Sequence, residues 1–290
     1  MNIERSNIID NLRLYKQNYQ DKSDSHRCFD DHRSRNVLKA MGLNPNANIK
    51  QIYDLKLNSD LAPKKPIPHL LHQVWVGMAD DDGNVPLMGK NYEKNLLNNF
   101  MHFDESWKIY FWTNNAYSIP EQIKNHPQVE LKFYDQEFNE LQSYFNILSK
   151  NKGLLSLLSN VVRAKSLMEY GGVYFDIDYK LCRKIDGLIE KYDFILGQDS
   201  KINIYAGNAF IAGHQNHPVI SEYFTTMINN FSKETASIIA ANSCHFINWR
   251  FLGFGPPSLT FAFLKKAFED DNKDVVLGWG ILLDYRREPG

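Results

Sequence analysis

The stretch from Leu154 to Leu181, LLSLLSNVVRAKSLMEYGGVYFDIDYKL, constrains the fold more than any other part of the chain. Leu154, Leu157, Leu158, Val161, Val162, Leu167 and Met168 recur at spacings of three and four, which predicts a helix with one apolar face. Asn160 and Arg163 lie three apart and share a different face, so they reach the same site. Gly171-Gly172 ends the helix, because glycine accepts the left-handed conformation of a C-cap. Val173-Tyr174-Phe175 then has the β-branched and aromatic character of a buried strand. Asp176 and Asp178 follow, and an extended continuation of the strand puts both carboxylates on one face with Ile177 turned into the sheet. Two anionic oxygen donors at one point suit a hard divalent cation such as Mn2+ or Mg2+, which takes carboxylate and diphosphate oxygens together.

The order N-x-x-R-x-x-x-L-x-E-Y-G-G-V-Y-F-D-I-D over residues 160–178 resembles the signature of the DXD-sugar family of GT-A glycosyltransferases. That family includes initiating mannosyltransferases, bacterial capsule transferases and the glucosyltransferase domains of large clostridial toxins. The resemblance extends over about residues 67–262. Ile67 to Gly77, IPHLLHQVWVG, is similar to the family's opening strand, and Trp107 to Asn115, WKIYFWTNN, to a later strand with its polar exit. It implies a GT-A fold: an α/β, mostly parallel sheet flanked by helices, with an N-terminal helical segment. Strand, helix, strand, helix at short intervals argues for the same parallel architecture. The boundaries read as a helical segment over residues 1–62 and a catalytic domain over 63–290, with Pro63, Pro66 and Pro68 stiffening the junction.

Further elements follow in order. A helix is expected from Gly89 to Phe103, a strand from Gln128 to Tyr134 and a helix over residues 136–150. Strands are expected at Tyr192–Gly197 and Ile204–Gly213, and helices from Pro218 to Phe231 and from Leu259 to Phe268. Asp80-Asp81-Asp82 reads as a solvated turn rather than a metal site. His214 and His217 read as surface or capping residues rather than ligands.

The resemblance also implies the site residues. Val74, Trp75, Asn115, Asn160, Arg163, Tyr174, Asp176 and Asn208 would bind the nucleotide sugar, with Trp75 stacked on uracil and Asn114 as the alternative to Asn115. Asp178 with Asp176 would hold Mn2+ or Mg2+, and Asp176, Asp178, Arg163 and Asn160 form the catalytic set. In the toxin relatives an aspartate that binds sugar hydroxyls stands where this chain has Asn160, so the amide bears on donor choice rather than on the reaction. The segment VVLGWGILLDYRREPG lacks the family's Ser-Trp or His-Trp closing pair, with Asp284 or Trp279 as substitutes.

The implied activity is retaining, metal-dependent transfer of glucose or N-acetylglucosamine from a UDP-sugar to an acceptor hydroxyl, on a host protein as in a bacterial toxin or effector. A capsular or surface glycan is the alternative acceptor, and a catalytically degenerate nucleotide-sugar-binding module is the alternative outside the enzyme class. No paired Glu/Asp for a covalent glycosidase mechanism stands at the expected place. Lys plus Arg (33) balance Asp plus Glu (34), so no global field draws the chain to nucleic acid. Cys28, Cys182 and Cys244 lie far apart without zinc spacing, which suggests reduced thiols. No signal-peptide core or bilayer-length apolar run appears, so the expected location is a bacterial cytosol or a host cytosol after delivery. The toxin relatives use N-terminal helices for membrane targeting, which extends to residues 1–62 as membrane association.

Overall fold

The computed structural model describes residues 49–77, 85–149, 154–198, 205–231, 254–266 and 271–278. Its principal helices are α1 (Ile49–Leu57), α2 (Lys90–Phe100), α3 (Gln142–Leu148), α4 (Leu155–Tyr170), α5 (Pro218–Asn230) and α6 (Pro256–Lys266). Its strands are β1 (Leu70–Trp75), β2 (Lys108–Thr113), β3 (Val129–Phe133), β4 (Gly172–Phe175), β5 (Phe194–Gln198), β6 (Ala206–Gly213) and β7 (Asp274–Leu277). They form one sheet in the order β3-β2-β1-β4-β6-β5-β7. β3, β2, β1 and β4 run parallel, β6 is antiparallel to β4 and β5, and β7 is parallel to β5. The sheet is therefore mixed but mostly parallel, as the sequence implied.

Period-two alternation sorts side chains into two cores, one on each face of the sheet. Val74, Trp112, Tyr174, Leu196 and Ile211 face the side covered by α4, α5 and α6. Leu71, Ile109, Phe111, Val173, Phe175 and Ile195 face the side covered by α2. Strands buried on both faces need near-continuous apolar runs, which is why β1, β2 and β4 were legible in the sequence.

The Gly171-Gly172 turn is required by close approach as well as by conformation. Their φ values are 66° and 102°, and a β-carbon on Gly172 would stand 2.3 Å from the Leu70 carbonyl oxygen. This lets α4 drop directly into β4 beside β1. His72 locks the same junction: its Nε2 donates to the Gly171 carbonyl at 2.7 Å, and Trp112 Nε1 donates to its Nδ1 at 3.0 Å. An indole N–H can only donate, so Nδ1 must be the unprotonated nitrogen. Burial lowers the His72 pKa to about 4, and the ring is held neutral.

Several expected elements are placed differently. The helix expected over 136–150 is broken into a turn at Tyr134–Glu137, a 3-10 turn at Asn139–Leu141 and α3. Phe138, between the turns, leaves helical geometry to stack on Trp112 at 4.8 Å. α6 begins at Pro256, three residues early, since proline suits the first helical position. His214 and His217 are buried, not surface. His217 caps α5 by accepting the Val219 N–H at its Nδ1, while Nε2 lies 3.0 Å from Asp274 Oδ1 and the ring stacks on Phe194. Of the N-terminal segment, α1 is described: Tyr53 packs edge-on against Phe263, and Lys56 Nζ donates to the Asn272 carbonyl. Asp80 to Asp82, Cys28, Cys244, Trp279 and Asp284 lie outside the described residues. Among the described residues no helix is long and apolar enough to cross a membrane.

Candidate active site

β1 is flanked by β2 on one side and β4 on the other, so connections leave the sheet in opposite directions beyond their carboxyl ends. Open α/β sheets bind ligands at such a switch point. A cavity of about 630 Å3 lies there, and its lining includes Val74, Trp75, Asn160, Arg163, Tyr174, Asp176, Asp178 and Asn208. Eight of the nine positions expected from the sequence therefore meet in one place. The exception is Asn115, whose side chain accepts the Tyr117 N–H and caps the 3-10 turn Ala116–Ser118. Asn114 is also engaged elsewhere, clamping both backbone groups of Gly77. An Asx cap satisfies the local backbone at the end of β2, which is the more immediate demand on an asparagine there.

Arg163 organises the cavity floor. It is almost wholly buried on α4 and its guanidinium lies 4.0 Å from the centre of the Tyr174 ring. Its NH2 donates to Asp176 Oδ1 at 2.7 Å and to the Tyr174 hydroxyl at 2.8 Å, and its NH1 donates to the Asn208 carbonyl. The Tyr174 hydroxyl in turn donates to Asp176 Oδ1 at 2.7 Å. Burial opposes the charge on Arg163, but Asp176 and Tyr174 outweigh it and hold the guanidinium above its ordinary value. Burial drives the Tyr174 hydroxyl well above its usual range despite the pull of Arg163, so it stays a donor. A buried pair of this kind fixes geometry more than it adds stability. Arg163 Nε is buried without a hydrogen-bond partner.

The two aspartates do not lie on a strand. β4 ends at Phe175, the Asp176 N–H adds one more rung by donating to Ala209, and the chain then turns, with the Tyr179 N–H bonded to the Asp176 carbonyl. Asp176 and Asp178 still line the cavity, and Ile177, although it also touches the lining, packs against the core on the α2 side of the sheet, the inward direction expected of it. The turn is shaped by α2. Asn95 Nδ2 donates to the Ile177 and Tyr179 carbonyls at 2.7 and 2.6 Å, and Asn99 Nδ2 to Tyr179 at 2.6 Å. Asn99 Oδ1 also accepts the Leu181 N–H at 2.9 Å. These amides were missed in the sequence. Their spacing of four on a predicted helix was the available signal, because it puts two amides on one face.

The donor set suits a hard cation. Asp176 Oδ1 is committed to Arg163 and Tyr174, which leaves Oδ2, and Asp178 is an exposed carboxylate on the same cavity. Among the described residues no group of three or more His, Cys, Asp or Glu gathers, and within them Asp176 and Asp178 are the two carboxylates a cation in this cavity would meet. A cation that completes its shell from diphosphate oxygens and water needs no more than that.

Trp75 lies half-buried at the end of β1, its ring centre 5.9 Å from that of the more exposed Tyr92 of α2. Both line the cavity and offer aromatic surface to a planar group.

Residues 90–195 match the family model described as glycosyltransferase sugar-binding region containing DXD motif. Inositol phosphoceramide mannosyltransferase 1 of Schizosaccharomyces pombe is 26% identical over 202 residues, 69% of this chain and 52% of that protein. The chain thus spans about half the length of that curated relative. Among solved structures, the PaToxG glycosyltransferase superposes with a TM-score of 0.54 at 14% identity, over 81% of this chain and 79% of that one. The ligand-free glycosyltransferase domain of the YGT toxin lies further off, with a TM-score of 0.48 at 11% identity over 74% and 80% of the two chains. Residues 90–195 are thus similar to the glycosyltransferase sugar-binding region containing a DXD motif, and the chain has a GT-A fold.

Proposed function

We propose that this chain is a metal-dependent, retaining glycosyltransferase that moves glucose or N-acetylglucosamine from a UDP-sugar to an acceptor hydroxyl. The observation that carries the reading is the meeting, in one cavity at the sheet's switch point, of an aromatic face (Trp75), a buried guanidinium (Arg163) and two carboxylates (Asp176, Asp178). Those groups match a nucleotide sugar part by part: base, sugar with its phosphate, and diphosphate.

In this reading Trp75 stacks on the base. Asp178 and the remaining oxygen of Asp176 would hold Mn2+ or Mg2+, which would supply Lewis-acid stabilisation of the charge on the departing diphosphate. Arg163, preset by Tyr174 and Asp176, presents its positive charge to the same diphosphate without having to reorganise. The acceptor hydroxyl attacks the anomeric carbon from the face UDP leaves, and the leaving phosphate takes its proton, so no protein nucleophile is needed. The acceptor proposed is a host-protein hydroxyl. A second reading, a polar lipid headgroup or surface glycan, is favoured by the likeness to the inositol phosphoceramide mannosyltransferase.

The test is hydrolysis of UDP-glucose, UDP-GlcNAc, UDP-galactose and GDP-mannose with Mn2+ and again with EDTA. One UDP-sugar turned over, and lost in EDTA, is the expected result. Turnover that persists in EDTA would overturn the metal assignment, and turnover of GDP-mannose alone would move the chain to the second reading. Labelled donor offered to host-cell lysate, extracted lipid and oligosaccharide then separates the acceptors.

A further inference from the structure

One backbone carbonyl behind the cavity receives more side-chain attention than any helix requires. The Phe254 carbonyl accepts the Tyr223 hydroxyl at 2.5 Å and Asn160 Nδ2 at 3.1 Å. Phe254 and Tyr223 are both fully buried. The next two residues, Gly255 and Pro256, are cavity wall. Pro256 is tied down in turn, since its carbonyl accepts Thr260 Oγ1 at 2.8 Å and that hydroxyl accepts the Ala206 N–H of β6.

Asn160 is oriented by chemistry. A carbonyl can only accept, so the amide must turn its NH2 toward Phe254, and its Oδ1 then receives Asn208 Nδ2 at 3.2 Å. Asn208, Asn160, the Phe254 carbonyl and Tyr223 are thus joined in one chain of hydrogen bonds. An aspartate at position 160 would set a carboxylate against a carbonyl oxygen and break that chain. Asn160 is thus a strut here, both ends of its amide occupied within the protein.

We propose that Tyr223 and Asn160 are positioning residues that grip the Phe254 carbonyl, hold the Gly255–Pro256 wall of the donor cavity, and thereby set which sugar the cavity takes. The selectivity half rests on the function proposed above; the gripping half does not. The wall is tied to Asn160 through the Phe254 carbonyl, and with the base on Trp75 and the diphosphate on Arg163 and the two aspartates, the proposed reading leaves that part of the cavity to the sugar.

The full chain, Tyr223→Phe and Asn160→Asp decide it. Tyr223→Phe keeps the buried ring and removes one hydroxyl, so it remains informative if the added charge of Asn160→Asp prevents folding. In both variants amide exchange at Gly255 and residues 258–260 should rise about tenfold, as local opening becomes easier. UDP affinity by calorimetry should stay within about twofold, because stacking and diphosphate contacts are untouched, while the kcat/KM ratio of UDP-glucose to UDP-GlcNAc should move about fivefold or more, mainly through KM. Unchanged protection at residues 258–260 in Tyr223→Phe overturns the grip. Lost protection or a lowered Tm with an unchanged donor ratio overturns the selectivity. A wild-type chain that takes neither UDP nor any UDP-sugar overturns the functional reading and the selectivity with it, and the exchange arm still decides the grip.

Discussion

Asp176 and Asp178 look interchangeable in the motif and are not in the structure. Asp176 Oδ1 neutralises a buried guanidinium, whereas Asp178 stands exposed on the cavity. Asp176→Asn should therefore lower stability by roughly 2 kcal/mol, less than a fully buried pair because Asp176 is partly exposed, and also abolish turnover. Asp178→Asn should abolish turnover at a smaller cost in a urea melt, because the contacts of an exposed carboxylate contribute less than a buried pair. Equal destabilisation by the two would show that the Arg163 contact does not distinguish them. His72 makes a prediction of another kind. Its folded pKa, about 4, lies below the ordinary 6.5, so the unfolded chain binds the extra proton between those values. Stability should be unaffected above pH 6.5 and fall by about 1.4 kcal/mol per pH unit between pH 6.5 and 4, where protonating Nδ1 also expels the Trp112 N–H. Urea melts of the wild type and His72→Gln should differ in pH slope in that window alone, on top of a constant offset from the lost junction contacts.

Among the elements, α2 connects to function least obviously and so offers a sharp test. Asn99 gives one carbonyl contact and one N–H contact to the turn that carries the two aspartates. Asn99→Ala leaves both backbone groups to find new partners and should cost roughly 2 kcal/mol, with turnover down about tenfold or more and KM for the donor raised. Wild-type kinetics in the alanine variant would show that Asn99 does not support the site. This is also where sequence reading ended. α4, the Gly171-Gly172 turn and β4 were legible because period, punctuation and composition agree locally. The DXD residues were expected to continue the strand, since alternation has no term for two amides 80 residues upstream that pull Ile177 and Tyr179 into a turn. Asn115 was misplaced for the related reason that a local cap outranks a distant ligand. Tyr223 could not be singled out, because a tyrosine on the apolar face of a helix looks like core until its hydroxyl is seen to reach Phe254.

Across the whole molecule, polar chemistry is divided between the two ends of the sheet. The cavity lies beyond the carboxyl ends of β1 and β4. At the opposite end, where β5 and β7 begin, Asp193 is fully buried and accepts three backbone N–H groups: Lys64 at 2.7 Å, Lys65 at 2.9 Å and Lys273 at 2.8 Å. One carboxylate thereby joins the proline-flanked connector, β5 and the entry to β7. Asp193→Asn keeps an acceptor for Lys64 and Lys65 but turns an NH2 against the Lys273 N–H, so two donors face each other without an acceptor. Such a buried mismatch should cost roughly 2–3 kcal/mol. Because the parallel strands separate this clamp from the cavity by their full length, UDP affinity and donor preference of the folded variant should match the wild type. Chemical denaturation together with calorimetric UDP titration checks both halves. A fall in UDP affinity at full folding would mean that the two ends of the sheet are coupled, and that the connector contributes to the site as well as to the fold.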